Sequence, residues 1–174
     1  VLDPGNMEEM LESIELIGAA VGASENATKL TEELRARIKK VTDGVADVPE
    51  SEKPKVYYEV WPSPITTVGP GTFVDDIIRL SGGVNIASDA KKAYPEYSQE
   101  MIVAKNPDII AYSHHGSSQE SVEDIIGRTG WESIDAIKVK NVFYIDENIL
   151  QRATPRLVDG LEEFAKIIGQ QLKK

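Results

Sequence analysis

From residue 55 onward, the chain alternates short apolar segments with segments of helical periodicity. The apolar segments, 55–61, 109–112 and 141–145, are rich in Val, Ile and aromatic residues. Near-continuous apolar strands separated by helices are typical of a parallel sheet that is flanked by helices on both faces. The pattern predicts an α/β fold, a Rossmann-like lobe, in which the loops at the carboxyl ends of the strands meet ligands.

Helices are predicted before, between and after these strands. Three residues stand at positions typical of helix N-caps: Asn6, Thr72 and Ser98. A further short helix is predicted from Ser121 to about Ile126. Thr154 and Pro155 predict the start of the last helix, with Thr154 as its cap and Pro155 as its first residue.

A long amphipathic helix is predicted from about Ser24 to Val45, ahead of the strands. Apolar residues recur there at every third or fourth position, and Pro49 ends the pattern. The apolar stripe is narrow and the remaining positions are mostly polar. This pattern fits a surface helix, or a strut that crosses from one lobe to another.

The net negative charge of the chain restricts the classes of partner that it can bind. Lys and Arg number 19 and Asp and Glu 29, which gives a formal net charge of −10. Phosphate backbones repel such a chain, so we expect no nucleic-acid partner. The absence of cysteine excludes a thiol nucleophile and thiolate metal ligands. No apolar run approaches the ~20 residues of a membrane helix, and no basic-then-apolar start indicates a signal peptide.

The segment 61–72, after the first strand, is rich in proline and glycine and predicts a rigid connecting loop. A nucleotide-dependent Rossmann-like enzyme would need a G-x-G-x-x-G or Gly-Lys-Ser/Thr pattern here, and neither occurs, so this function is the weaker alternative. Ser113, His114 and Asp108 are too close in sequence for the geometry of a catalytic triad, and no nucleophile elbow is present. We therefore expect no catalysis.

Two adjacent histidines, His114 and His115, follow the second strand. Adjacent side chains on an extended chain point in different directions, and a tetrahedral site needs three or four ligands. We therefore expect no metal site built by the protein alone. A receptor for Zn or Mn ions that uses one of these histidines stays open as an alternative.

Two short segments carry side chains suited to ligand contact. Residues 94–100 hold two aromatic and two acidic side chains just before a helix. Ser98 and Glu100 suit the start of that helix, yet the segment also fits a ligand-facing aromatic wall with an exposed acid. Arg152 and Arg156 precede the last helix and oppose its dipole, so they require carboxylate partners from the protein or from a ligand.

Four segments, in this order, resemble the periplasmic binding proteins for metal chelates: 71–87, 97–102, 106–110 and 152–156. In addition, residues 17–27 resemble the stretch that leads into the interlobe helix of that family. Each segment alone is a weak signal. Together they cover nearly the whole chain, and their order makes the resemblance fairly specific.

The resemblance implies the C-terminal half of a two-lobed, class III solute-binding protein of an ABC importer for cobalamin, ferric siderophores or haem. Residues 1–53 would hold the interlobe linker and the long helix, and 54–174 the C-terminal lobe. The other lobe and the signal would lie outside the chain, and a homodimer of the half stays open. The implied location is the periplasm, or the cell exterior as a membrane-anchored lipoprotein.

The resemblance also implies roles for single residues. Five would face the chelate: Thr66, Thr67, Tyr94, His114 and Gln151. Tyr94 would pack on the ligand, and His114 or His115 could touch haem iron. Glu100 would dock to an arginine cluster on the permease. Capture of this kind needs no protein-bound cofactor, because the metal arrives within the chelate.

Overall fold

A computed structural model describes residues 2–113 and 120–172. Helices and strands follow one another along these residues: α1 (Met7–Ala20), α2 (Ser24–Val45), β1 (Lys55–Pro62), β2 (Ile65–Thr67), α3 (Phe73–Leu80), β3 (Val84–Asn85), α4 (Gln99–Lys105), β4 (Ile109–Tyr112), α5 (Val122–Ile126), α6 (Asp135–Lys138), β5 (Val142–Tyr144) and α7 (Leu157–Gln171). Short 3₁₀ turns lie at Glu50–Glu52 and Glu147–Ile149. Among the helices of these residues, none combines the length and apolarity that crossing a membrane demands.

The sheet is built around β1. On one edge of β1 lies the parallel strand β4, followed by the parallel strand β5. On the other edge, β3 pairs in parallel with the start of β1, and β2 pairs antiparallel with its end. The predicted parallel sheet is therefore confirmed for four strands. The prediction of a rigid connecting loop over 61–72 was wrong for residues 65–67, which form β2 and pair with β1 as a hairpin.

Two hydrophobic clusters cover the two faces of the sheet. Side chains alternate along β1, so that Tyr58 points into one cluster and Tyr57 into the other. The Tyr58 cluster is formed with α1, α3 and α7, with Phe164 packing near the Tyr58 ring at 6.3 Å between centroids. The Tyr57 cluster is formed with α4, α5 and α6 and contains the buried Trp131. Both faces of the sheet are thus shielded from water.

The long helix α2 has the predicted bounds and packs by one face. Its buried residues are Ala27, Thr31 and Leu34, and the opposite face is exposed. Arg37 joins it to α7, with the guanidinium donating to Asp159 at 2.7 Å and to Glu162 at 2.8 and 3.0 Å. Because α1 and α2 contribute to the Tyr58 cluster, they pack on the lobe. The division at residues 53 and 54 stays a prediction.

The start of α7 differs from the sequence-based prediction. The helix begins at Leu157, after Arg156, and no side chain caps it. Backbone carbonyls of Thr154 and Pro155 accept from the amides of Leu157 and Val158 at 3.0 and 3.2 Å, so the first amides are already satisfied. The Thr154 hydroxyl is buried and, among the described residues, has no hydrogen-bond partner. The prediction of Thr154 as cap and Pro155 as first helical residue was wrong, because these residues form a turn and the helix begins only at Leu157.

Helix α7 approaches the 3₁₀ turn at 147–149 closely at Gly160. A Cβ atom there would lie 2.4 Å from the Ile149 carbonyl oxygen, whereas a Cβ at Gly169 of the same helix would meet nothing within 4 Å. We expect Gly160→Ala to lower the free energy of unfolding by about 1–3 kcal/mol through overpacking. Gly169→Ala should raise it by about 0.5–1 kcal/mol, since alanine is the better helix former. Urea unfolding of the three proteins measures the difference, and equal effects would contradict the close packing.

Candidate ligand-binding site

The carboxyl ends of the parallel strands β1, β4 and β5 meet at one edge of the sheet, which we call the carboxyl edge. In α/β sheets, this edge is where ligands bind. Among the described residues, the segments that form it are the β1–β2 hairpin, Ser113 after β4 and residues 145–151 after β5. His114 and His115 follow β4 and lie outside the described residues, so their predicted contacts stay predictions.

The β1–β2 hairpin places Thr66 and Thr67 in different surroundings. The hairpin turns through a cis Ser63–Pro64 bond, and the Trp61 indole donates to the Ser63 carbonyl at 2.9 Å. Thr66 is partly exposed, and its hydroxyl donates to Pro64 at 3.0 Å. Thr67 is fully buried and its hydroxyl donates to the Tyr58 carbonyl at 2.7 Å. Thr67 therefore supports the hairpin and presents no surface to a ligand.

Backbone hydrogen bonds hold residues 93–97, which we call the Tyr94 segment, against β2 and the residues just after it. The amides of Thr67 and Gly69 donate to Pro95 and Ala93 at 3.0 and 2.7 Å. Gly69 permits this approach, because a Cβ there would lie 2.3 Å from the Lys92 carbonyl oxygen. The Tyr94 side chain remains 58% exposed. The structure thus brings Thr66 and Tyr94 onto adjacent segments, with an aromatic ring available for contact.

A chain of buried hydroxyl groups links Gln151 to the strand ends. The Gln151 amide donates to the Tyr58 hydroxyl at 3.3 Å, which lies 2.5 Å from the Ser113 hydroxyl. Ser113 donates to the Ile145 carbonyl at 2.6 Å, so Tyr58 must donate to Ser113. Burial is the main cause that raises the pKa of Tyr58 to about 12. Tyr58 therefore joins Gln151 to Ser113 after β4, and Ser113 joins both to Ile145 after β5, so these buried bonds hold the carboxyl edge together.

The geometry around Ser113 does not assemble a nucleophile. Ser113 is buried at the carboxyl end of β4, and its hydroxyl is committed to Ile145. Asp108 lies at the other end of β4, where its carboxylate accepts from the Lys55 amide at 2.7 Å. Within residues 2–113 and 120–172, no group of three His, Cys, Asp or Glu side chains is arranged to hold a metal ion.

Glu100 stands where the sequence predicts it. It lies in the first turn of α4, it is exposed, and the Ser98 hydroxyl caps the helix by accepting from the Met101 amide at 3.3 Å. Hydrogen bonds from its own backbone amide and from Ser98 hold the pKa of Glu100 below its usual range. The carboxylate therefore presents a fixed negative charge to solvent.

A buried ion network at the end of β1 was missed from the sequence. The Glu59 carboxylate, 1% exposed, accepts two hydrogen bonds from Arg128 at 2.6 and 2.7 Å and one from the Tyr57 hydroxyl at 2.7 Å. Arg128 also donates to Glu120 at 2.6 Å and lies 4.7 Å over the Trp131 ring. Although burial opposes it, the two carboxylates raise the pKa of Arg128. Glu59 within an apolar strand was a signal in the sequence for a buried charge, but the sequence does not identify Arg128 as its partner.

Residues 1–149 match the sequence pattern of the periplasmic binding protein family. The chain belongs to this family. Among curated relatives, the uncharacterized ABC transporter substrate-binding lipoprotein YvrC of Bacillus subtilis is 32% identical over 97% of this chain and 52% of its own length. The vitamin B12-binding protein of Vibrio cholerae is 26% identical over 95% of this chain and 58% of its own. The chain spans about half the length of these relatives.

Solved structures show that this family member shares the class III fold. An ABC transporter substrate-binding protein from Listeria monocytogenes aligns with a TM-score of 0.81 and 27% identity, over 97% of this chain and 67% of that one. The periplasmic haem-binding protein RhuT from Roseiflexus aligns with a TM-score of 0.85 and 21% identity, over 98% of this chain and 65% of that one. The predicted α/β lobe and family are therefore confirmed.

The Tyr58 hydroxyl should make stability sensitive to alkaline pH. Its folded pKa of about 12 lies above the ~10 of an unfolded tyrosine, so its contribution is complete below pH ~10 and is lost as pH rises toward 12. We expect Tyr58→Phe to lose less stability than the parent between pH 8 and 11. Tyr94→Phe, which changes an exposed tyrosine, should lose as much stability as the parent over the same pH range. Urea unfolding at both pH values measures this, and identical losses in all three proteins would contradict it.

Proposed function

We propose that the whole protein is the substrate-binding component of an ABC importer, and that this chain forms one wall of its site for a metal chelate. The chelate is cobalamin, a ferric siderophore or haem. The observation that carries the proposal is the connection of the proposed contact residues to the carboxyl edge: the segment with the exposed Tyr94 is bonded to β2, which carries Thr66, and Gln151 is bonded to Tyr58 of β1. The family membership of the chain supports it.

In this proposal, the protein acts by shape and polarity and not by catalysis. Large ligands are held by mostly apolar walls with a few polar groups that fix their orientation. Tyr94 supplies the aromatic surface, and Thr66 and Gln151 supply polar groups at known positions. The metal enters and leaves within the chelate, so no resident cofactor is needed. His114 remains a candidate contact for haem iron.

The second wall is proposed to come from the rest of the whole protein. Four apolar side chains are exposed near the junction of α1 and α2: Leu16, Ile17, Val21 and Leu30. Contiguous exposed apolar surface usually marks a contact with another body. Since the curated relatives are about twice as long as this chain, we propose that a second lobe covers this surface. A second copy of the chain is the alternative occupant.

Delivery is proposed to use Glu100. Its carboxylate is exposed at the start of α4 and is available to basic side chains of a permease. The names of the relatives, a lipoprotein and periplasmic binding proteins, support a location outside the inner membrane, free in the periplasm or anchored by lipid. Both locations place the protein next to an importer.

Calorimetry with cyanocobalamin, ferrichrome and haemin tests ligand capture. We expect the whole protein to bind one of them, and this chain alone to bind that probe far more weakly. Tyr94→Ala should weaken binding by the whole protein about tenfold, because an aromatic contact adds about 0.5–1.5 kcal/mol beyond its buried area. Val139→Ala removes a side chain of equal exposure, 58%, near the amino ends of the strands and should leave affinity unchanged. Binding of none of the probes, or equal loss in both variants, would refute the proposal.

Transport measurements test the role of Glu100. In a reconstituted importer, Glu100→Arg should reduce ATP-dependent uptake several-fold while the affinity of the whole protein for its chelate stays within about twofold. The reason is that a like charge repels the basic surface proposed on the permease. Glu32→Arg makes the same charge change on the exposed face of α2 and serves as the control. Loss of affinity with normal uptake would assign Glu100 to the ligand instead.

A further inference from the structure

The Glu59–Arg128 network sits where β1 changes from a sheet strand into a hairpin. Glu59 pairs with Tyr112 of β4 on one side and with Thr67 of β2 on the other. The register of the β1–β2 pairing shifts immediately after it, between Glu59 and Trp61. Beyond this irregularity, the hairpin extends toward the carboxyl edge. The buried carboxylate is thus attached to the base of the hairpin.

Stability alone does not account for a buried charge at this point. Removing a carboxylate and a guanidinium from water costs several kcal/mol per ion, and apolar residues of similar size often serve as well. An arginine fork that binds both carboxylate oxygens fixes direction as well as distance. Here the same guanidinium also holds Glu120, just ahead of α5, and lies on the Trp131 ring. The network therefore fixes the position of Glu59, at the base of the hairpin, relative to Glu120 and Trp131.

Hydrogen bonds transmit this geometry to the proposed ligand contacts. Glu59 fixes the end of β1, and β1 fixes β2 through their antiparallel pairing. The backbone of β2 and of Gly69 just after it in turn holds the Tyr94 segment, through the Thr67 and Gly69 amides and through the Tyr97 amide, which donates to Ile65 at 3.0 Å. An unbroken series of backbone and side-chain bonds thus runs from Arg128 to the segment that carries Tyr94.

We propose that Arg128 is a positioning residue for the binding site: by clamping Glu59 it sets the place of the β1–β2 hairpin and, through it, of Thr66 and Tyr94. The expected effect on chelate binding rests on the proposed function. The placement of the hairpin by Arg128 does not depend on any ligand. The clamp between α2 and α7 at Arg37 offers a matched control. Arg37 also binds two carboxylates, Asp159 and Glu162, but on the opposite side of the sheet.

Hydrogen exchange in the ligand-free whole protein tests the structural part. Arg128→Met should speed exchange of the Thr67, Gly69 and Tyr97 amides about tenfold, because these amides join β2 to the Tyr94 segment. Arg128→Lys is the second variant, in case the Met variant fails to fold, because it keeps a positive charge at this position. A lysine ammonium cannot bind both carboxylate oxygens as the guanidinium does, so the same three amides should again exchange faster. Arg37→Met should speed exchange in α2 and α7 and leave the three amides within about twofold. Unchanged exchange in the Arg128 variants, or equal effects in the Arg37 variant, would overturn the proposal.

A double-mutant cycle tests the consequence for binding, using whichever of cyanocobalamin, ferrichrome and haemin the whole protein binds. Arg128→Lys alone should weaken affinity about tenfold, and it should have little further effect once Tyr94 is replaced by Ala, because residues that act through one another are not additive. Arg37→Met should change affinity by the same factor in both backgrounds. Additive effects of Arg128→Lys and Tyr94→Ala would overturn the positioning role. If no probe binds, the proposed function fails while the exchange experiment still decides the role of Arg128.

Discussion

The double pairing of β1 is the constraint on which the rest of the lobe depends. One edge of this strand is taken by β4, and the other is shared between β3 at its start and β2 at its end. Its alternating side chains enter both hydrophobic clusters, with Tyr58 on one face and Tyr57 on the other. A slip of one residue would exchange the two faces, so register and packing determine each other. The same strand then delivers Glu59 and the hairpin to the carboxyl edge.

Much of the fold could be predicted because its signals are local. The bounds of α2 follow from helical periodicity and those of β4 from a continuous apolar run, while the caps at Asn6, Thr72 and Ser98 follow from residue type. The missed elements depend on partners that are distant in sequence. The strand β2 has three residues beside prolines and exists because β1 and the Tyr94 segment pair with it. Thr154 has the right residue type for a cap, but it lies in a turn ahead of α7, and its hydroxyl makes no hydrogen bond among the described residues.

The candidate site was predictable in part for the same reason. Tyr94, Thr66 and Gln151 could be placed at a sheet edge from the order of strands and loops, although their proposed roles came from a family resemblance. Burial of Thr67 depends on its position within a hairpin that the sequence pattern did not indicate. The Glu59–Arg128 pair joins residues 69 positions apart, and a single sequence holds no signal of which acid meets which base.

The place of α7 in the Tyr58 cluster determines when the lobe can be completed during synthesis. Leu161, Phe164 and Ile168, near the end of the described chain, pack in the same cluster as Met7 and Met10 near its start. Contacts of such high sequence separation form slowly, and a nascent chain lacks them until α7 has left the ribosome. Until α7 is present, the Tyr58 cluster lacks Leu161, Phe164 and Ile168, so this face of the sheet remains exposed to solvent.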